Sequence, residues 1–212
     1  MTHTLHRRGD RESLNCDYIV FTMSAKKFNE EGSAEKMRSF LKILLDHHPV
    51  NFGDMQTGNG YVKSREEIFD HIQSTSIVHG VFTDPRVVIE TLKDLRSADL
   101  GLSVVVTGLH DSTEDCCCQS SLQKHTVEHS LGIFGQMRKL PSDEILQLTT
   151  MCGHGMVPAN LIERVIVEIK KGKKSMKEGA LELTRPCVCG IYNPIRAERL
   201  LQRLVPLMVL DG

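Results

Sequence analysis

The sequence predicts an α/β fold: a small, mostly parallel sheet with flanking helices, followed by a helical module rich in cysteine and histidine. Two observations lead there. "SIVHGVFT" (76–83), "RVVIETLKDL" and "LSVVVTGL" (102–109) read as strand, helix and strand. A strand that is apolar throughout, without polar alternation, suits a buried parallel pair joined by a helical crossover. From Pro141 onward the periodicity is helical and no strand pattern follows.

The elements follow in order. Residues 1–15 are polar and aperiodic, and read as a flexible tail. "DYIVFTMS" (17–24) is a strand, rich in β-branched and apolar side chains. Ser33 is placed to cap a helix running to about His48, with Met37, Phe40, Leu41, Leu44 and Leu45 on one face and Pro49 as its stop. "NFGDMQTGNG" reads as a loop, and "SREE" opens a helix whose Ser64 and Glu67 have capping-box spacing. After the strand at 76–83, Asp84 and Pro85 start a helix that turns Val88, Ile89, Leu92 and Leu95 to one side. "HDSTEDCCCQSSLQK" is helical with Asp111 or Ser112 as cap, and "HTVEHSLGIFG" (125–135) is a further strand. Past Pro141 come helices headed by Ser142, by Pro158, by the Ser175–Glu178 pair, and by Asn193–Pro194. The division is an α/β domain over 16–138 and a helical module over 141–205.

Composition limits the function. The chain has 212 residues, a net charge of −1 and 40% hydrophobic residues. That is a globular balance without the basic excess that nucleic acid or an anionic membrane would require. Trp is absent and Phe, Tyr and Trp together make 5%, which speaks against a stacking surface for bases. The N-terminus lacks an apolar signal region and no apolar run is long enough to span a bilayer, so a cytoplasmic protein is expected. Its seven cysteines, an odd number, are then reduced thiols available for metal or redox chemistry.

Four side chains carry the sharpest chemical signal. "TTMCGHGM" places Cys152 and His154 one residue apart, and "RPCVCGIYNP" does the same for Cys187 and Cys189. In extended chain, side chains two apart point the same way. Both pairs have glycine neighbours and precede helix starts, where partial positive charge favours thiolate. Convergence on a metal is the expectation, and buried small residues are the plain alternative. Three sulfurs and an imidazole suit zinc or an iron–sulfur cluster, and the dominance of sulfur tilts the choice toward iron–sulfur. "MCGHGMV", "PCVCGIYNPIRAERLL" and "HTVEHSLGIFG" resemble a conserved group of proteins of anaerobic bacteria and archaea to which no activity is attached. The resemblance covers about the last 90 residues, and implies that the two cysteine segments act as a unit.

Other residues are secondary. "TGLHDST" runs from a strand end into a helix start, so His110, Asp111 and Ser112 are placed to bind a small anionic ligand. His125 and His129 share a face of a regular strand and are the acid–base candidates, against an ordinary structural role. Cys116, Cys117 and Cys118 diverge on a helix and cannot all serve one site. His47–His48 and "KKGKK" (170–174) read as helix-end charges. Two functions follow. One is a metalloenzyme doing redox or metal-assisted chemistry on a small anionic metabolite. The alternative is a non-enzymatic ligand- or partner-binding or sensor protein with structural zinc. A metal position open to a polar pocket would mark the first, a closed site away from any pocket the second.

Overall fold

The computed structural model describes residues 5–208. Five strands form one sheet: β1 (Tyr18–Met23), β2 (Asn51–Asp54), β3 (Gly58–Asn59), β4 (Ile77–Phe82) and β5 (Ser103–Thr107), in the order β3-β2-β4-β1-β5. Every pairing is antiparallel, which corrects the mostly parallel sheet expected above. β4 and β5 do run in the same direction, because each is antiparallel to β1, and α4 (Pro85–Ala98) does connect them. They are not neighbours, because β1 lies between them. With α2 (Ser33–Asp46) joining β1 to β2, and β3 and α3 (Arg65–His71) lying between β2 and β4, the chain runs β-α-β-β-α-β-α-β through the sheet. β5, the apolar run that suggested a buried parallel pair, is an edge strand with no fully buried residue, so its lack of polar alternation reported neither burial of both faces nor the direction of its neighbour.

Burial of β1 on both faces has a direct cause. Alternate residues of β1 point to opposite sides. Tyr18 and Val20 join Met37, Phe40, Leu41 and Leu44 of α2 and Val88 and Leu92 of α4. Ile19 and Phe21, with Val81 of β4, join the C-terminal helices α6 (Asp143–Thr149), α7 (Ala159–Lys170), α8 (Met176–Thr184) and α9 (Pro194–Leu207). The molecule is therefore a helix–sheet–helix sandwich, and the 141–205 segment is its third layer. Burying Ile19, Phe21 and Val81 contributes about 1.5–3 kcal/mol each to holding that layer.

Most helix starts are as the sequence indicates. Asp84 accepts from the Arg86 amide, Asn193 from the Arg196 amide, and both capping boxes are formed. Four readings change. α2 begins after Gly32 in the left-handed conformation, and the Ser33 hydroxyl donates to the Glu30 carbonyl instead of capping. The 51–60 loop contains β2 and β3, hidden by their Gly, Asn and Asp content. α5 (His110–Gln119) follows Leu109 with no side-chain cap, so neither Asp111 nor Ser112 caps it. The 125–135 segment is exposed and irregular rather than a strand. The expected tail is also partly ordered: α1 (Arg11–Leu14) forms, and Arg7 and Arg8 dock on the helical layer. Residues 1–4 of that expectation lie outside the described residues. Among the described residues no helix is long and apolar enough to cross a membrane.

Candidate metal centre

One row of residues runs across the sheet on the face that meets the C-terminal helices. Strand register aligns Asn59 (β3), Gly53 (β2), His79 (β4), Phe21 (β1) and Val105 (β5). His79 has the same parity as Val81, so it points into the same layer as that residue. Gly53 carries no side chain because the backbone of β3 closes over it: a Cβ there would lie 2.3 Å from the Gly58 carbonyl oxygen. The Cys187–Gly190 turn packs beside it, against Asn59 and His79. A Cβ on Gly190 would lie 2.5 Å from the Asn59 Cβ and 3.0 Å from His79 Nε2. Asn59 holds the turn by donating Nδ2 to the Cys187 carbonyl at 3.0 Å.

The two cysteine segments fold alike, though not as extended chain. In each, a cysteine carbonyl accepts from the amide of a glycine three residues on: Cys152 from Gly155 at 3.1 Å and Cys187 from Gly190 at 2.9 Å. Both glycines have positive φ, 67° and 77°, a region other residues enter at a cost. Turning the chain in this way brings Cys187 Sγ to 3.6 Å from Cys189 Sγ, and Cys152 lies beside the Cys187 thiol. That contact, helped by the Met156 and His154 amides, pulls the Cys152 thiol down to about 6 against the opposing effect of burial. The same contact, with Cys189 and burial, drives Cys187 strongly upward. Within the cluster one proton is easily lost while its neighbour's is retained. All three cysteines are buried, whereas His154 is exposed on its turn. The structure thus unites three of the four predicted ligands.

His79 was missed by sequence reading. It is fully buried, and neither ring nitrogen has a hydrogen-bond partner. Burial pushes its pKa below the usual histidine value, opposed by the nearby Cys189 and the Gly190 backbone. A signal existed in "SIVHGVFT": one imidazole in an otherwise apolar strand must find a partner or remain unsatisfied.

A buried ionic cluster adjoins the thiols and was also missed. Asp17 pairs with both Arg7 and Arg196, whose side chains are no more than 5% exposed. Arg196 further donates to Ser13 Oγ, and Asn193 Nδ2 donates to the Asp17 carboxylate at 3.0 Å. Arg7 Nη2 donates to the Ile191 carbonyl at 2.5 Å and to the Met151 carbonyl at 3.3 Å. Those carbonyls flank the two cysteine turns, so Arg7 ties the turns together. Tyr192 is buried with its hydroxyl unpartnered, and burial raises its pKa well above the ordinary tyrosine value, with Cys187 adding to the effect. Two guanidiniums face one carboxylate, leaving an excess positive charge inside the protein.

The secondary candidates behave differently. Asp111 pairs with Arg11, and Ser112 Oγ donates to Asn15 Oδ1 at 2.7 Å. His110 meets His129 with ring centroids 5.4 Å apart, while His125 contacts its neighbour Thr126. His110 and His129 are thereby brought together on the surface, away from the buried row. A surface groove of about 430 Å³ is lined by Arg7, Arg8, Gly9, Asp143 and Gln147. A small cavity of about 40 Å³ lies among Glu12, Cys16 and the arginines of α9. Neither is lined by the predicted ligand-binding residues or by the three thiols. Among the described residues, no group of three or more His, Cys, Asp or Glu side chains is arranged so that it could hold a metal ion, the three thiols included.

The chain matches no family model, no curated protein and no solved structure.

Proposed function

We propose that Cys152, Cys187 and Cys189 bind one zinc ion that fastens the helical layer to the sheet, in a protein whose role is to bind a ligand or partner rather than to catalyse. The observation that carries this reading is the 3.6 Å separation of Cys187 and Cys189 Sγ, with buried Cys152 beside them. Two thiolates on one tetrahedral zinc, at about 2.3 Å from it, stand roughly 3.8 Å apart. Ligands on different irons of a cluster stand farther apart, so the spacing favours a single ion over the iron–sulfur centre that sulfur content suggested. Completing the shell requires side-chain rotation, since no formed group is present among the described residues.

Charge supports the same reading. A divalent ion with three thiolates carries one negative charge. The adjoining Arg7, Arg196 and Asp17 carry one positive charge in excess. A buried charge is costly without a counter-charge, and the metallated cluster would supply it. The zinc would be structural. The thiols are 2%, 0% and 4% exposed for Cys152, Cys187 and Cys189, and neither cavity described above is lined by them. Recognition would then fall to the surface, where Leu131 and Phe134 of the irregular 125–135 segment stand 87% and 79% exposed.

Elemental analysis and absorption spectra of the full chain, purified without oxygen, test the proposal. One zinc per chain, lost when Cys187 and Cys189 are replaced by serine, is the expected result. Stoichiometric iron with visible charge-transfer bands would replace zinc by a cluster. A chain that takes up neither metal would end the proposal.

A further inference from the structure

We infer that His79 of the central sheet, and not His154, supplies the fourth donor to this metal, making a Cys₃His centre that joins sheet and helical layer through a bond. The inference rests on the zinc reading above and adds a ligand from another part of the chain.

Three observations lead to it. His79 is the histidine among the buried described residues, at 0% exposure, and both its ring nitrogens lack a partner. A buried polar group without a partner costs about 1–3 kcal/mol, and an unexplained one points to a missing ligand or ion. Second, its position is set by a built feature. The Cys187–Gly190 turn packs directly on the ring, where a Cβ on Gly190 would lie 3.0 Å from Nε2 and 2.5 Å from the Asn59 Cβ. Gly190 is the immediate neighbour of Cys189, so the imidazole sits at the mouth of the thiol turn. Third, His154 projects from an exposed turn while all three thiols are buried. Its amide already serves the cluster through Cys152, and that role needs no imidazole.

Zinc needs four donors in a closed structural site, and neutral imidazole is an ordinary partner of three thiolates. Zinc at His79 would satisfy one ring nitrogen, leaving the other to be oriented by a backbone carbonyl. The backbone of Ile77 and Gly190 already lies close enough to influence the ring. With one ligand on β4 and three on the helical layer, the metal acts as a mechanical clasp that closes the seam between two layers of the sandwich.

The test uses the full chain reconstituted with zinc, and separately with cobalt(II). X-ray absorption of the wild type should show three sulfur donors and one nitrogen with imidazole outer-shell scattering. His154→Gln should keep that spectrum and the wild-type affinity. His79→Gln should lose the imidazole scattering, shift the cobalt d–d bands and weaken zinc binding by about tenfold or more. Loss of the imidazole signal in His154→Gln, or an all-sulfur or oxygen-completed shell in the wild type, would overturn the assignment to His79 while leaving zinc binding intact. Absence of zinc from the wild type would remove both readings. If His79→Gln does not fold, the spectra of the wild type and His154→Gln decide the question.

Discussion

Replacing Asp17 by asparagine removes the carboxylate that two buried guanidiniums share while nearly preserving volume. Arg196 Nη1 donates to Asp17 at 2.8 Å, Arg7 pairs with the same carboxylate, and the Asp17 side chain is 0% exposed. Breaking a buried pair from one side leaves uncompensated charge and costs about 3–5 kcal/mol. A domain of ordinary stability, about 5–15 kcal/mol, would lose between a fifth and all of it. For a chain of this length the melting temperature should fall by roughly 6–20 °C. Asp143→Asn is the matched control. Asp143 pairs with Arg8 of the same N-terminal arm at 2.5 Å, but its side chain is 78% exposed, and such a pair contributes about 0–1 kcal/mol. Urea denaturation of both variants at low and high salt should show a large, salt-insensitive loss for Asp17→Asn and a small, salt-sensitive one for Asp143→Asn. A cost below about 1 kcal/mol for Asp17→Asn would refute the claim that these charges are desolvated and mutually dependent.

Gly190→Ala should destabilise by about 2 kcal/mol or more in thermal melts, because the residue has φ 77° and its new Cβ would press on Asn59 and His79. A melt unchanged from wild type would show that the turn does not pack against Asn59 and His79. Alkylation by iodoacetamide, followed by mass spectrometry, should reach exposed Cys118 well before buried Cys116 in the same helix, since burial raises the Cys116 thiol to about 11. Early modification of Cys116 would contradict the packing of α5. The amides of their own capping boxes hold the Glu67 and Glu178 carboxyls below the ordinary glutamate value near 4.5. Their contribution is therefore whole above that value and is lost as pH falls through the lower folded-state value. Glu67→Gln with Glu178→Gln should flatten the acid side of the stability profile, and an unaltered profile would count against the boxes.

Local chemistry was legible in the sequence where partners are close in the chain. Asp84 before Pro85, and Ser64 and Ser175 each three residues before a glutamate, mark helix starts that the structure contains. The α2 and α4 faces were read from periodicity and are buried as expected, except for Leu45, which is half-buried. Strand order was not legible, since the place of β1 between β4 and β5 depends on layers stacking, not on any residue in the crossover. The thiols illustrate both cases. Gly-flanked cysteines announced a cluster, but the turns that build it differ from the extended chain assumed for them. His79 and Asp17 lie over a hundred residues from the Cys187–Gly190 turn they approach, and no spacing rule spans that distance.

The N-terminal arm has a consequence for how the molecule is made. Synthesis proceeds from the N-terminus, so Asp17 and Arg7 emerge long before Arg196, and Ile19, Phe21, His79 and Val81 before the helices that cover them. Until residue 196 leaves the ribosome, the helical layer on one face of the sheet lacks α9 and the acid has only part of its counter-charge. Docking of α9, drawn in by Asp17 from far back in the chain, then completes this layer. A nascent protein stalled short of that residue would show a sticky sheet, and would be a target for chaperones rather than a smaller working version of itself.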